Sequence, residues 1–318
     1  MKSVSFRTYR PGDEALIVEL WNQCAVCDPV APLRFRNLVL LDANFDPAGV
    51  RLAFDGERLV GCVYAVRRLL PMAGNNLEPD NGWIPFFFVD SAYERQGIGS
   101  ALLREAEAFL REAGRKQLFF SAYAPNYIVP GIDAAAYPKG DAFLRRNGFS
   151  TRYTAVAMDR SLVGYVVPEE VRELKRQRIA EGYRFRTASD ANLADLLRFA
   201  GERFNPDWAR AIREGLLSGQ PIDRIKLALH GDAIVGFCLN GAYEGVPERF
   251  GPFGVDPDRR GLGLGKILLH EALASMKAQS LHGAWFLWTG EQSPAGHLYK
   301  QAGFRITRSF DIMSKPIA

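Results

Sequence analysis

A glycine-spaced turn in the second half of the chain is the segment best suited to bind an anion. It follows an apolar run that ends at Val255. Glycines stand at alternate positions, Gly261, Gly263 and Gly265, and three cations lie next to them, Arg259, Arg260 and Lys266. Glycine adopts positive φ without a Cβ clash, so successive N–H groups can converge where a helix begins. The helix N-terminus adds partial positive charge. This chemistry suits phosphate.

Two familiar glycine motifs do not fit this turn. A Walker loop would need glycine at position 260 and Ser or Thr after the lysine, where Arg260 and Ile267 stand. The dinucleotide fingerprint GxGxxG has a different spacing from Gly261, Gly263 and Gly265. The remaining alternative is that these glycines only form a tight strand-to-helix turn.

A weaker copy of the turn lies in the first half of the chain. Its candidate ligand contacts are Val89, at the end of the preceding strand, and Arg95, Gln96, Gly97, Ile98, Gly99 and Ser100 in and after the turn. Glu94 stands where the second copy has Arg260, which places a negative charge beside the anion site. We therefore expect the first turn to bind the anion more weakly, or not at all.

The two turns belong to a repeat that extends over the whole chain. Four landmarks recur in the same order: Phe6 and Phe185, Gly61 and Gly236, Gly97 and Gly263, and Phe149 and Phe304. The spacing between matched landmarks shortens along the chain, so the first half carries insertions, around residues 70–83 and 126–139. Such self-similarity predicts two copies of one architecture.

Each half has the same predicted order of elements. A strand and helices lead to a hairpin at Gly56 or Gly231, then to the strand before the glycine turn, an amphipathic helix, another strand and a short helix. The fold class is α/β. We predict domains at 1–160 and 183–318, joined by a helical linker at 161–182 whose charges form a solvated face.

Composition restricts the class of protein and of ligand. With 318 residues, 47% hydrophobic and 24% charged, the chain has the profile of a soluble globular protein. The net charge of +4 is mild and no long basic block occurs, so we expect no nucleic-acid partner. No long apolar run or signal segment stands out, so we expect no membrane partner and a cytoplasmic location. We expect the protein to be a monomer or a homodimer.

Metal binding is not expected. Cys24 and Cys27 form a lone CxxC without a second pair, and Cys62 and Cys238 lie in apolar strands. The four histidines all lie in the second half, without the spacing of metal ligands. The cysteines are therefore interpreted as reduced thiols.

Taken together, these segments resemble the GCN5-related N-acetyltransferases, in both halves. The family pattern is a strand ending in Val, a turn of the form [Q/R]-x-x-G-x-[G/A], a helix, a strand and an Ala-x-x-x-Tyr-x-x-x-Gly-Phe segment. The second half matches it through Arg260, Gly263 and Gly265, and then through residues 295–304, which include Tyr299. The first half departs from it, with Glu94 in the turn and Leu144 in place of the tyrosine.

The resemblance implies a largely antiparallel sheet that splays between its fourth and fifth strands, with acetyl-CoA as co-substrate in the gap. Backbone groups near Phe253 and Val255 would pair with the pantetheine arm, and Gln292 would reach it. The pyrophosphate would be held by the turn, whose further members are Leu262 and Leu264.

The implied reaction is direct attack of an amine on the thioester. Tyr299 would protonate the departing thiolate, and a phenol with a pKa near 10 stays protonated at neutral pH. Glu244 and Glu248, just before the strand that ends at Val255, are candidate bases, although surface solvation explains them as well. Tyr299 can also be interpreted without a catalytic role, as an aromatic residue that packs in the core.

Three functions remain open from the sequence. In the first, the second half transfers acetyl groups to a small-molecule or peptide amine, and the first half keeps the fold. In the second, the protein senses acyl-CoA without turnover. In the third, both sites are active, and the first uses another acid among Tyr123, Tyr127 and Tyr137.

Overall fold

The structure is a computed structural model that describes residues 4–317. The first half forms β1 (Val4–Thr8), α1 (Glu14–Cys24), α2 (Pro32–Phe35), β2 (Val50–Asp55), β3 (Arg58–Val66), β4 (Asn81–Val89), α3 (Ile98–Glu112), β5 (Gln117–Phe120), α4 (Pro138–Arg146) and β6 (Ser150–Ser161). The second forms α5 (Glu169–Ala180), β7 (Tyr183–Thr187), α6 (Leu193–Arg203), α7 (Pro206–Leu217), β8 (Lys226–His230), β9 (Ala233–Asn240), β10 (Phe250–Val255), α8 (Leu264–Ala278), β11 (Gly283–Thr289), α9 (Pro294–Gln301) and β12 (Arg305–Pro316).

The described chain divides into two compact units that do not coincide with its two halves. Unit 1 contains the chain up to Pro71, then Asn76–Ala155, and finally the segment that begins at Ser309. Unit 2 contains Met72–Asn75 and Val156–Arg308. The last strand of each half, β6 or β12, therefore begins in one unit and ends in the other. The linear bounds 1–160, 161–182 and 183–318 stay a prediction.

Unit 1 is built on a mixed sheet. Strands β1 to β4 pair antiparallel in chain order, β5 runs parallel to β4, and the end of β12 pairs antiparallel with β5. Strand β3 is buried along nearly its whole length because helices cover both faces of the sheet. Trp21 of α1 lies in one core and Leu102 of α3 in the other.

The pairing of β4 with β5 stops halfway along β4. It runs from Asn81 opposite Gln117 to Ile84 opposite Phe120, after which β4 continues to Val89 against β3. Pro85, which has no N–H to donate, stands where the two strands part. The splay implied by the family resemblance is confirmed in unit 1.

Unit 2 repeats this arrangement. Strands β7 to β10 form an antiparallel sheet, and β11 pairs antiparallel with the second part of β6. Among the described residues, Arg249, which directly precedes β10, forms one parallel bridge with Trp285 of β11, and the Trp285 amide donates to the Glu248 carbonyl at 3.0 Å. No further pairing between β10 and β11 follows this bridge in the described part of the chain.

The predicted repeat and fold class are confirmed. The hairpin glycines Gly56 and Gly231 have φ of +62° and +59°, values that suit the tight turns placed there. The insertions of the first half appear as long connections before β4 and before α4. As for membrane spans, none of the helices between residues 4 and 317 is sufficiently long and apolar to cross a bilayer.

Candidate active site

The glycine turn of unit 2 has the geometry of an anion-binding nest. Gly261 and Gly263 have φ of +82° and +72°, and α8 begins immediately afterwards at Leu264. The first hydrogen bond of the helix runs from the Ile267 amide to the Gly263 carbonyl, at 3.1 Å. The amides of residues 261–266 have no acceptor within the described chain. They are therefore available to an oxyanion.

The third glycine of the turn has a packing role. A Cβ on Gly265 would lie 3.3 Å from the Phe253 ring and 3.5 Å from a methyl group of Val255. Because glycine has no Cβ, α8 can lie close against β10, the strand that carries the half-buried side chains of Phe253 and Val255. The turn is thereby held at the end of the strand along which we expect the pantetheine arm to extend.

Three cations lie beside the turn, and their contacts differ. Arg260 is exposed and has no ion-pair partner among residues 4–317. Lys266 is partly buried and pairs with Glu170 of α5, at 3.6 Å between Nζ and Oε1. Arg259 donates to the Tyr183 hydroxyl over a long 3.5 Å. Leu262 and Leu264 flank the glycines, Leu262 half-buried and Leu264 buried.

The turn of unit 1 keeps the same backbone. Gly97 has φ of +83°, α3 begins at Ile98, and the Ala101 amide donates to the Gly97 carbonyl at 2.9 Å. Arg95 occupies the position of Gly261 and accepts a φ of +61°, a conformation that costs a non-glycine residue about 1–2 kcal/mol. Gln96 donates to the Ala92 carbonyl at 3.2 Å, and Gly99 and Ser100 follow in the first turn of α3.

The charge at Glu94 is partly compensated. Its carboxylate accepts a hydrogen bond from Lys139, at 2.7 Å. Both side chains are at least one-third exposed, so solvent weakens this pair. A negative group nevertheless remains beside the first turn, where unit 2 has the unpaired Arg260.

Tyr299 is placed by the way α9 ends. Gly303 has φ of +84°, its amide donates to the Lys300 carbonyl, and the Phe304 amide donates to the Tyr299 carbonyl, both at 3.0 Å. This is a Schellman motif, in which glycine takes the left-handed position and an apolar residue packs back on the helix. The Phe304 and Tyr299 rings are 5.5 Å apart. The Gly-Phe pair therefore fixes the tyrosine.

The same motif holds Leu144 in unit 1. The amides of Gly148 and Phe149 donate to the carbonyls of Arg145 and Leu144, each at 3.1 Å. Leu144 is 2% exposed and packs in the core beside Ile132. The two halves thus present a phenol and an aliphatic side chain at equivalent positions.

The Tyr299 ring lies in an aromatic cluster beside β10. Its centroid is 4.4 Å from that of Phe286 and 6.0 Å from those of Phe250 and Phe253. No residue between 4 and 317 makes a hydrogen bond to its hydroxyl. Burial raises the pKa of Tyr299 well above its usual value of about 10, with a smaller contribution from Cys238. The phenol therefore stays protonated.

The two candidate bases lie at the start of β10, at the end opposite the glycine turn. Glu244 accepts a hydrogen bond from Arg249 at 2.6 Å, and Arg249 is 3% exposed and stacks on Tyr243 and Trp285. Glu248 is half-buried. The Glu244 carboxylate is thus engaged in an ion pair with a buried guanidinium, while its role as a base stays a prediction.

Further features of this region were not predicted. Arg249 carries no sequence signal of burial, since an arginine is usually exposed. A pocket of about 330 Å³ lies beside the loop that carries Glu244, and is lined partly by Gln220, Gly245 and Pro247. Gln292 is exposed in the turn before α9, and its role stays a prediction.

The candidate acids of the first half are occupied or buried. Tyr123 is 1% exposed, donates to Asp42 at 3.2 Å and accepts from Asn44 at 2.9 Å, and burial is the main cause that raises its pKa. The Tyr137 hydroxyl donates to Asp28 at 2.7 Å. Tyr127 is buried as well. Proton donation from Tyr123 or Tyr137 would have to break these contacts.

Within the described part of the chain, no three His, Cys, Asp or Glu side chains are grouped so that they could hold a metal ion. The four cysteines are free thiols, and Cys62 and Cys238 are fully buried.

Both halves match models of one protein family. A model described as "Acetyltransferase (GNAT) family" matches residues 16–129, and one described as "Acetyltransferase (GNAT) domain" matches residues 221–306. Among curated relatives, a "Mycothiol acetyltransferase" from Clavibacter michiganensis is 28% identical over 295 residues, which cover 91% of this chain and 87% of the relative.

Solved structures show the same fold. The glucosamine N-acetyltransferase region of a fungal multi-domain β-N-acetylglucosaminidase has a TM-score of 0.81 at 18% identity, and the match covers 99% of this chain and 38% of that protein. A tandem GNAT protein from the clavulanic acid biosynthesis pathway has a TM-score of 0.65 at 15% identity, and covers 99% of both chains. These likenesses concern the fold.

Proposed function

Because this chain is an acyltransferase of the GCN5-related N-acetyltransferase family, with two domains of that family, we propose that its second domain transfers an acetyl group from acetyl-CoA to a primary amine. One observation carries the proposal: the second half alone combines an arginine-bearing phosphate turn with a tyrosine at the C-terminal motif of α9. The family uses acetyl-CoA as co-substrate, and the unpaired amides of residues 261–266 fit its pyrophosphate.

The proposed site is organised along β10. The phosphate turn follows its C-terminal end, the carboxylates precede its N-terminal end, and Tyr299 packs against Phe250 and Phe253 between them. Six strand residues extend about 20 Å. The thioester would therefore lie near Tyr299, with the amine approaching from the side of Glu244 and Glu248.

In the proposed reaction, the nitrogen lone pair attacks the thioester carbonyl carbon and the carbon–sulfur bond breaks. The Tyr299 hydroxyl donates its proton to the departing sulfur. The proton that the amine loses passes to Glu248 directly or through water, because Glu244 is held by Arg249. Backbone N–H groups where β10 leaves β11 would polarise the carbonyl oxygen.

The acceptor is a small-molecule or peptide amine. The curated relatives support a low-molecular-weight acceptor, since two of them are named mycothiol acetyltransferases and both align with parts of each half. The amine acceptor of those enzymes therefore heads the panel of candidate substrates. Glucosamine, a polyamine, amino acids and a peptide N-terminus complete it.

Thiol release from acetyl-CoA tests the proposal. Full-length protein is mixed with acetyl-CoA and each amine in turn, and free thiol is measured. We expect release that depends on an amine, with an acetylated amine as product. Binding of acetyl-CoA without release for any amine would contradict the proposal and support the acyl-CoA sensor instead.

The asymmetry between the two turns gives a binding prediction. Calorimetric titration with CoA should show one tight site per chain, because Glu94 repels phosphate at the first turn while Arg260 attracts it at the second. Replacing Glu94 with arginine should strengthen any weak first site about threefold, as expected for an exposed charge. Two sites of equal affinity in the native protein would refute the asymmetry.

A further inference from the structure

Helix α5 touches the phosphate turn of the second domain at two points. Glu170, in its first turn, pairs with Lys266 at 3.6 Å. Leu174, one turn later, packs over Gly263: a Cβ added to that glycine would lie 2.6 Å from the Leu174 Cδ2 atom. The charge pattern of α5 predicts a solvated linker, but the helix also contacts the phosphate turn.

Further contacts hold α5 in this place. Val171 is 2% exposed, and Lys175 pairs with Glu271 of α8 at 2.9 Å. Val171 and Leu174 are three residues apart and so share one face of the helix. Glu169 and Glu173, in contrast, pair with Arg172 and Arg176 of the same helix, on exposed side chains.

The first domain offers an internal comparison. A Cβ on Gly97, the equivalent of Gly263, would have nothing within 4 Å. The contact with a leucine thus belongs to the turn that we assign to CoA binding and not to its copy. A supporting contact at one of two otherwise similar turns indicates a role at that turn.

We propose that α5 sets the affinity of the second CoA site: Leu174 supports the turn at Gly263, and Glu170 competes with the CoA phosphates for Lys266. When the phosphates bind, the Lys266 ammonium group leaves Glu170 and contacts them instead. At 66% exposure Glu170 is a weak competitor, so the helix moderates binding and does not prevent it. This inference rests on the proposed function of the second domain.

Charge removal at Glu170 tests the competition. The Glu170→Gln variant should lower the Kd for CoA and the KM for acetyl-CoA about threefold, with kcat unchanged, because Lys266 is then released and one negative charge is removed. The gain should fade at high salt, since exposed charges are screened. The matched control is Glu173→Gln, which removes the same charge from the same helix where Arg176 is its partner.

The support from Leu174 has its own test. The Leu174→Ala variant should raise the KM for acetyl-CoA severalfold without lowering kcat, and Leu174→Met should restore it because the volume is kept. If Leu174 only stabilised the fold, both Leu174 variants would have lower melting temperatures, and KM would not rise separately from kcat. That result would refute the support of the turn by Leu174.

Two results separate this inference from the function it rests on. If CoA binds at the second turn but Glu170→Gln and Glu173→Gln change its affinity equally, the competition at Lys266 is refuted and the proposed function stands. If Gly263→Val leaves CoA binding unchanged, the second turn is not the site, and the proposed function fails with the inference.

Discussion

The Tyr299→Phe variant should turn over about a hundredfold more slowly than the native protein, while it binds acetyl-CoA with the same affinity. The change removes the proposed proton donor and keeps the ring that packs on Phe286. Because no described residue makes a hydrogen bond to the hydroxyl, its loss leaves no polar group unpaired in the protein. Steady-state kinetics with a good amine acceptor, beside calorimetry with acetyl-CoA, measures both quantities.

The pH dependence of the native enzyme follows from the same residue. Burial raises the pKa of Tyr299, which favours the neutral, protonated phenol. The phenol of Tyr299 therefore stays protonated up to about pH 10, the usual pKa of a tyrosine, and also above that pH. We expect kcat/KM to rise with pH as the amine loses its proton and then to level off. A descending limb near neutral pH would show that another group is the acid.

The control for Tyr299 lies in the first half. The Leu144→Met change keeps the side-chain volume at the equivalent position and should have little effect on rate. Normal turnover by Tyr299→Phe, together with loss of activity on substitution of Tyr123, Tyr127 or Tyr137, would place the working site in the first domain.

The Gly263→Val variant should weaken acetyl-CoA binding more than tenfold, or roughly 1.4 kcal/mol. Two physical causes act together. Valine at a φ of +72° is strained by about 1–2 kcal/mol, and its Cβ would collide with Leu174. Either the Leu174 side chain or the turn has to shift, and the strain at residue 263 acts directly on the backbone whose amides converge on the anion. Calorimetry gives the affinity, and thermal unfolding gives the cost in stability.

Gly97→Val is the matched control for Gly263→Val. It imposes the same strain at a φ of +83°, but its Cβ meets nothing within 4 Å. We therefore expect Gly97→Val to lower the melting temperature less than Gly263→Val does. Unchanged CoA affinity in Gly263→Val would move the binding site elsewhere in the protein.

Features encoded by neighbouring residues could be predicted from the sequence. The glycine turns depend on backbone conformations that only a few residue types favour, and the Gly-Phe pair that ends α9 acts within one helical turn of Tyr299. The amphipathic helix after each turn follows from its own period. Such signals need no knowledge of the rest of the chain.

Contacts between distant segments could not be predicted in this way. The charges of α5 indicate a solvated helix, and nothing in them shows that Glu170 meets Lys266 or that Leu174 meets Gly263. The burial of Arg249 beside Glu244 is equally invisible, because the rings that stack on it come from other positions in the chain. Pairing of β5 with β12 has no local signature either.

The pairing of β5 with β12 determines when the sheet of the first domain is completed during synthesis. Residues Gln117–Phe120 of β5 reach their partners only when Met313–Pro316 have been made, after nearly all of the second half. Until then β5 presents an unpaired edge, and contacts so far apart in sequence form slowly. The sheet of the first domain is thus completed by residues that are translated after the helices and strands of the second domain. A truncation before Met313 would leave β5 of the first domain without this partner strand.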